Sequence, residues 1–175
     1  MRILSRFLAV LVTIFCPFSA IAFSTSDLSV FAGKYEVLEG CNVGLHSSYP
    51  GNIVEVNLIP GEEKEMFGQD ISSPTFMTFQ VIDGPFLDER STSSQGFKLE
   101  EDSTRRESVM SSFEVDAEGI VRLNVEVQNW YGVLGSYRQN KLTLDGSLLT
   151  WEVKQTGNNI NRASVCKFVR QNLMM

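Results

Sequence analysis

The chain has 175 residues, 43% of them hydrophobic, a net charge of −6 at pH 7, one histidine and three cysteines. That acidity opposes phosphate backbones and anionic lipid surfaces, and no basic run interleaved with aromatics offsets it, so nucleic acid is not an expected partner. One histidine and the two cysteines that remain once an export signal carrying Cys16 is removed, read below as bonded to each other, leave no usual zinc ligand set, and no phosphate-cradling glycine loop or calcium-loop spacing is present, so neither cofactor nor metal is expected.

The amino terminus, MRILSRFLAVLVTIFCPFSAIAFS, has three parts. Arg2 and Arg6 are a short positive region, Phe7 to Phe18 is apolar apart from Thr13, and Ala20-Ile21-Ala22 supplies the small residues that a signal peptidase reads. Residues 1–22 are therefore read as a secretory signal and residues 23–175 as one exported domain, secreted or periplasmic. The apolar run is shorter than the ~20 residues that span a bilayer, so no stable membrane insertion is expected. Cleavage before Phe23 takes two arginines with it and moves the net charge from −6 to −8.

Removal of the signal also removes Cys16 and leaves Cys41 and Cys166, an even pair in an oxidising compartment. A bond between them requires Cα atoms about 5.5–6 Å apart, so the first and last strands of the domain should be neighbours.

Taken in order, the elements are strands. Period-2 alternation recurs in Val54-Glu55-Val56-Asn57-Leu58, in Met77-Thr78-Phe79-Gln80-Val81 and from Val121 to Gln128, and helical periodicity is nearly absent. Strands are expected over 33–40, 52–59, 75–82, 95–101, 106–115, 120–128, 136–144, 147–154 and 162–170. The longer links at 41–51, 60–74 and 83–94 are read as loops, with Gly61 to Phe67 a solvated stretch or one helical turn. Two turns set register. Asp116-Ala117-Glu118-Gly119 suits a three-residue loop that pairs 116 with 120, so that Val115 faces Val121, Phe113 faces Leu123 and Val109 faces Val127. Asp145-Gly146 suits a two-residue loop that pairs 144 with 147 and 142 with 149, with Leu142, Leu144, Leu149, Trp151 and Val153 on one face. Consecutive hairpins with one wet face, and terminal strands side by side, predict an all-β, antiparallel up-and-down barrel of about eight strands. A two-sheet β-sandwich is the alternative.

Gly33-Lys34-Tyr35 follows Ser26-Asp27-Leu28-Ser29-Val30-Phe31-Ala32 and opens the first strand, and Arg170 closes the last. These ends resemble the lipocalins and related calycins, with Tyr35 where that family carries a tryptophan. The resemblance implies a 3₁₀ turn before the first strand and a barrel floor in which Arg170 lies across the Tyr35 ring by cation–π contact. Counting back from Cys41 and Cys166 places Arg170 opposite Val37, next to Tyr35 on one face. Residues 155–161 read as a loop where lipocalins carry a long helix.

No catalytic grouping stands out. His46 lies in a loop without a nucleophile elbow, and Glu62, Glu63 and Glu65 read as a solvated charge run. Asn129 to Tyr137 joins two strands and carries Trp130, Tyr131 and Tyr137 among glycines, which marks a rim for a ligand or partner. The expected function is a non-catalytic binding module that holds a small apolar or amphipathic ligand in the barrel, or a protein partner at its rim loops. The alternatives are a packed envelope or inhibitor-type scaffold, with Phe79, Phe97, Phe113 and Trp151 filling the interior, and a carboxylate enzyme built on Glu39, whose parity matches Tyr35 and Val37.

Overall fold

The computed structural model describes residues 25–43, 46–66, 69–85, 87, 95–99, 107–131, 134–157 and 160–171. The expected export signal, residues 1–22, lies outside them. Among the described residues no helix is long and apolar enough to cross a membrane.

The fold is all-β. Among the described residues, a helical turn at Thr25–Leu28 and a 3₁₀ turn at Ser29–Phe31 lead into thirteen strands, nine of which form one antiparallel sheet. These nine are β1 (Gly33–Glu39), β4 (Ile53–Ile59), β7 (Phe76–Asp83), β8 (Gln95–Lys98), β9 (Glu107–Val115), β10 (Val121–Tyr131), β11 (Leu134–Asp145), β12 (Leu148–Gly157) and β13 (Ile160–Arg170). The sheet order is β8-β7-β4-β1-β13-β12-β11-β10-β9. All nine expected strands are present, and the first and last pair as expected, through Tyr35↔Arg170 and Val37↔Phe168.

Three expectations about the links are corrected. The loop at 41–51 contains a small hairpin, β2 (Cys41–Val43) with β3 (His46–Ser48), so His46 stands on a strand. The stretch read as a solvated loop or helical turn at 61–67 instead contributes β5 (Glu63–Met66), which pairs with β6 (Gln69–Ser72). Residues 155–161 are also largely strand, since β12 runs to Gly157 and β13 starts at Ile160.

The sheet curls without its ladder closing. No pairing joins β8 to β9 among the described residues, and the nine strands form one sheet rather than two. The inward faces nonetheless meet. Phe79 on β7 stacks on Trp151 on β12, four places away in the sheet, with ring centroids 4.0 Å apart and planes 13° apart. Phe97 lies 5.9 Å from Trp151, and Phe168 lies 6.1 Å from Phe79. Across the open seam, Lys98 at the end of β8 forms an ion pair with Glu107 at the start of β9. Period-2 alternation supplies the remaining core: Val54, Val56, Met77, Leu123, Val125, Leu142 and Leu149 are all buried. Phe113 is half-buried and packs against this core.

Local chemistry explains the two tested turns. Asp116 Oδ1 accepts from the backbone N–H groups of Glu118 and Ile120, each at 2.9 Å, and Gly119 takes φ +81°. Those bonds, led by the Ile120 N–H, hold the Asp116 carboxyl below the usual range. The expected register follows: Val115↔Val121, Phe113↔Leu123 and Val109↔Val127. The second hairpin turns one residue later than expected. Gly146 (φ +56°) begins the loop, so Asp145 pairs with Leu148 and Leu142 with Trp151. Each partner changes by an even step, so the apolar face is unaltered.

At the end where β1 begins, Tyr35 is fully buried and donates its hydroxyl proton to the Phe31 carbonyl at 2.9 Å. Arg170 donates to the same hydroxyl oxygen from Nε at 3.1 Å and from Nη2 at 2.5 Å, and also reaches the Val30 carbonyl. Its guanidinium carbon stands 5.1 Å from the ring centroid, so the contact joins hydrogen bonding to proximity to the ring. Arg170 lies opposite Tyr35, not Val37: the irregularity between Val37 and Glu39 shifts the register by one residue, and Glu39 opposite Lys167 shows that the ladder is already one residue off a direct 41–166 pairing. The same irregularity breaks the alternation and leaves Glu39 exposed, with its Oε1 2.8 Å from Lys167 Nζ. Glu39 therefore does not point into the interior, and the carboxylate-enzyme expectation loses its candidate.

Burial raises the Tyr35 hydroxyl above its ordinary value of 10.0, against a smaller opposing pull from Arg170. Tyr35 thus ionises more readily in the unfolded chain than in the fold. Its contribution is intact below pH 10.0 and is lost as the pH climbs through the higher folded value. Tyr137 shifts the same way, so the comparison belongs in a Tyr137→Phe background. In that background, urea unfolding should show stability falling above about pH 10. Tyr35→Phe should lose about 1–3 kcal/mol at neutral pH and show a shallower alkaline decline.

Candidate functional site

The inward residues of four adjacent strands change character along their length. On β10, Val121, Leu123, Val125 and Val127 are buried, and the next residue of that parity is Asn129. On β11, Leu144 and Leu142 give way to Asn140, Arg138 and Ser136. On β12, Leu149, Trp151 and Val153 give way to Gln155, and on β9 Val109 is followed toward the strand start by Glu107. The ladder aligns these changes: Arg138 sits between Val127 and Gln155, and Asn129 sits between Glu107 and Ser136.

At this end of the sheet lies a cavity of about 260 Å³. Glu107, Asn129, Ser136, Arg138 and Gln155 line it on one side, and Phe76, Gly96, Phe97, Lys98 and Val127 complete it. The aromatic stack fills the interior beyond Phe97, so the open space is at the rim and not along the axis.

Arg138 is the anomalous member. Its Nε is buried and finds no hydrogen-bond partner among the described residues. Burial draws the guanidinium below the usual arginine range, and desolvation is the sole cause. Glu107 does not relieve it, because that carboxylate is committed to Lys98, with the Glu107 side chain 4% exposed. Next along the same face, fully buried Asn140 leaves both amide atoms without a partner, and Trp151, diagonal to it across the ladder, leaves Nε1 without one. Buried polar atoms are ordinarily satisfied, and one left without a partner costs stability. Three such groups on one contiguous inward face distinguish this region from the rest of the core.

The expected rim residues are placed differently from one another. Trp130 pairs with Gly135 and Tyr131 with Leu134 at the β10–β11 hairpin end, and their side chains lie outside the described residues. Tyr137 is half-buried on the outer face and is not a wall of the cavity; burial first, and then the Glu126 charge and hydrogen bond, raise its hydroxyl. The segment 129–137 therefore does supply the cavity, through Asn129 and Ser136. Gly33, Tyr35 and Arg170 form the cluster described above and contribute nothing to the cavity lining. Cys166 is fully buried on β13, and the Cys41 side chain lies outside the described residues. The signal that would have found Arg138 is its parity, since it continues the inward series Leu144, Leu142, Asn140.

A second concavity, about 180 Å³, lies on the outer face between β11, β12 and β13. Its walls include Lys141, Glu152 and Lys154, with Lys141 Nζ 3.5 Å from Glu152 Oε1, and it is a solvated charged face.

Asn140 offers a direct check on the unpartnered polar face. Asn140→Leu replaces a buried amide that forms no bonds with an apolar side chain of similar size, and should stabilise the protein by about 1–2 kcal/mol in urea unfolding. Destabilisation would mean that the amide has partners. Compared with known proteins, the chain matches no family model, no curated protein and no solved structure.

Proposed function

We propose that the chain is an exported, non-catalytic binding module that takes a small ligand at the end of the rolled sheet where the inward faces of β9 to β12 turn polar. One observation carries this reading: half-buried Arg138, whose Nε is buried without a partner and which has no ionic partner among the described residues, lines a cavity open to solvent. A buried N–H left without a partner costs stability, about 1–3 kcal/mol, without improving the fold. Sites that recognise ligands are where proteins retain such defects. The aromatic stack limits the ligand to the rim, so it is smaller than a ligand threaded along a hollow barrel.

Export rests on residues 1–22 and on a disulfide between Cys41 and Cys166. Support for that bond comes from the strand arrangement: β2, which begins at Cys41, lies against β13, and Glu39 pairs with Lys167 beside Cys166. Thiol titration of the unreduced, processed protein should find no free thiol, and titration after reduction should find both. Two free thiols before reduction would remove this support.

The packed interior also favours a second reading, a scaffold that acts through its surface. Native mass spectrometry of gently purified protein separates the two. A retained small-molecule adduct, lost on mild activation, is the expected result. A bare protein mass, together with tryptophan emission indifferent to lipophilic acids, would favour the scaffold.

A further inference from the structure

Resting on the reading of the rim cavity as a binding site, we infer that its ligand is a small monoanionic carboxylate whose head group is held by Arg138 and whose short apolar body lies against Phe97 and Val127. The charge of the walls is the first argument. Lys98 and Glu107 pair across the seam, and Arg138 has no ionic partner among the described residues. A neutral or cationic ligand would leave that guanidinium without a partner charge, whereas one negative charge would supply it. A dianion such as phosphate would exceed what one guanidinium balances and would meet Glu107.

The shape of the donors is the second argument. A guanidinium presents planar N–H groups that match a carboxylate edge, and its Nε–H is unengaged. Asn129, Ser136 and Gln155 stand around it with neutral donors and acceptors. The third argument is size and polarity. The volume of about 260 Å³ admits on the order of ten non-hydrogen atoms, at the ~30 Å³ that a water occupies in the liquid. Phe97 and Val127, both buried, form its apolar side.

A carboxylate of this kind comes either from a free short-chain acid or from the C-terminus of a polypeptide, and the cavity size commits the assignment to the free acid. The test uses calorimetry on the disulfide-intact protein with hexanoate and 3-phenylpropanoate as probes. Hexanamide and 3-phenylpropanol serve as neutral counterparts, inorganic phosphate as the dianion, and N-acetyl-leucyl-phenylalanine as the chain terminus. Both acids should bind saturably and raise Tm, at least about tenfold more tightly than the neutral counterparts or phosphate. Arg138→Met should lose that preference while its own Tm without ligand stays equal to or above that of the parent. Arg138→Gln, neutral and polar, provides the same comparison if the methionine variant does not fold. Hexanamide binding as tightly as hexanoate would overturn the carboxylate assignment and leave the cavity reading standing. Undiminished hexanoate binding in both Arg138 variants would overturn the role of Arg138. A tighter dipeptide would overturn the free-acid source, and tighter phosphate the monoanion. Absence of binding by every probe up to about 10 mM would overturn the inference and the cavity reading together.

Discussion

The stacking of Phe79 on Trp151 sets what this sheet can be and what it can hold. Rings on strands four places apart reach a centroid distance of 4.0 Å only if the sheet rolls until opposite inward faces meet. An aromatic pair of this kind contributes about 0.5–1.5 kcal/mol beyond the area it buries. Its larger effect is steric: with Phe97 and Phe168 packed beside it, the interior is a side-chain core. The hydrogen-bond ladder is then free to remain open between β8 and β9, because packing and the Lys98–Glu107 pair hold the two edges together.

From this constraint the two ends of the molecule take opposite characters. Around Tyr35, every polar group described is matched: the hydroxyl donates to Phe31 and accepts from Arg170, and Arg170 reaches the Val30 carbonyl. Around Arg138, the equivalent accounting fails at Nε, at the Asn140 amide and at the indole N–H of Trp151. Both ends contain an inward arginine, and among the described residues only Arg170 has a partner for its Nε. A fold shaped for stability alone would place leucine at positions 138 and 140, continuing the series from Leu142 and Leu144. The contrast between the matched and unmatched arginines is the physical basis for assigning binding to one end and structure to the other.

Much of the architecture was legible because local chemistry and alternation agree. Asp116 and Gly119 specify their hairpin through side-chain and left-handed backbone geometry, so its register could be counted directly. At Asp145-Gly146 the composition marked the turn but not which residue begins it, and the even step of the difference kept the faces intact. The hairpin of β5 and β6 was hidden, because Glu63-Lys64-Glu65 reads as solvated charge and carries no apolar alternation. The irregularity after Val37 was equally hidden, and with it the outward turn of Glu39. The cavity was only partly legible. Aromatic residues mark the segment 129–137, whereas the cavity uses its polar members, and Arg138 reads as a surface residue unless its parity with Leu142 is followed.

The central claim is that the Arg138 Nε–H is sheltered from water and waits for an anion. Side-chain arginine ¹⁵Nε–¹Hε correlation spectra, recorded during hexanoate addition and assigned with Arg138→Gln, address that one bond. The account predicts a slowly exchanging Arg138 Hε in the free protein, and a saturable downfield displacement of that resonance alone among the arginines as the carboxylate binds. A rapidly exchanging Hε that hexanoate leaves in place would show the guanidinium to be solvated, and the rim cavity would lose its claim to be a site.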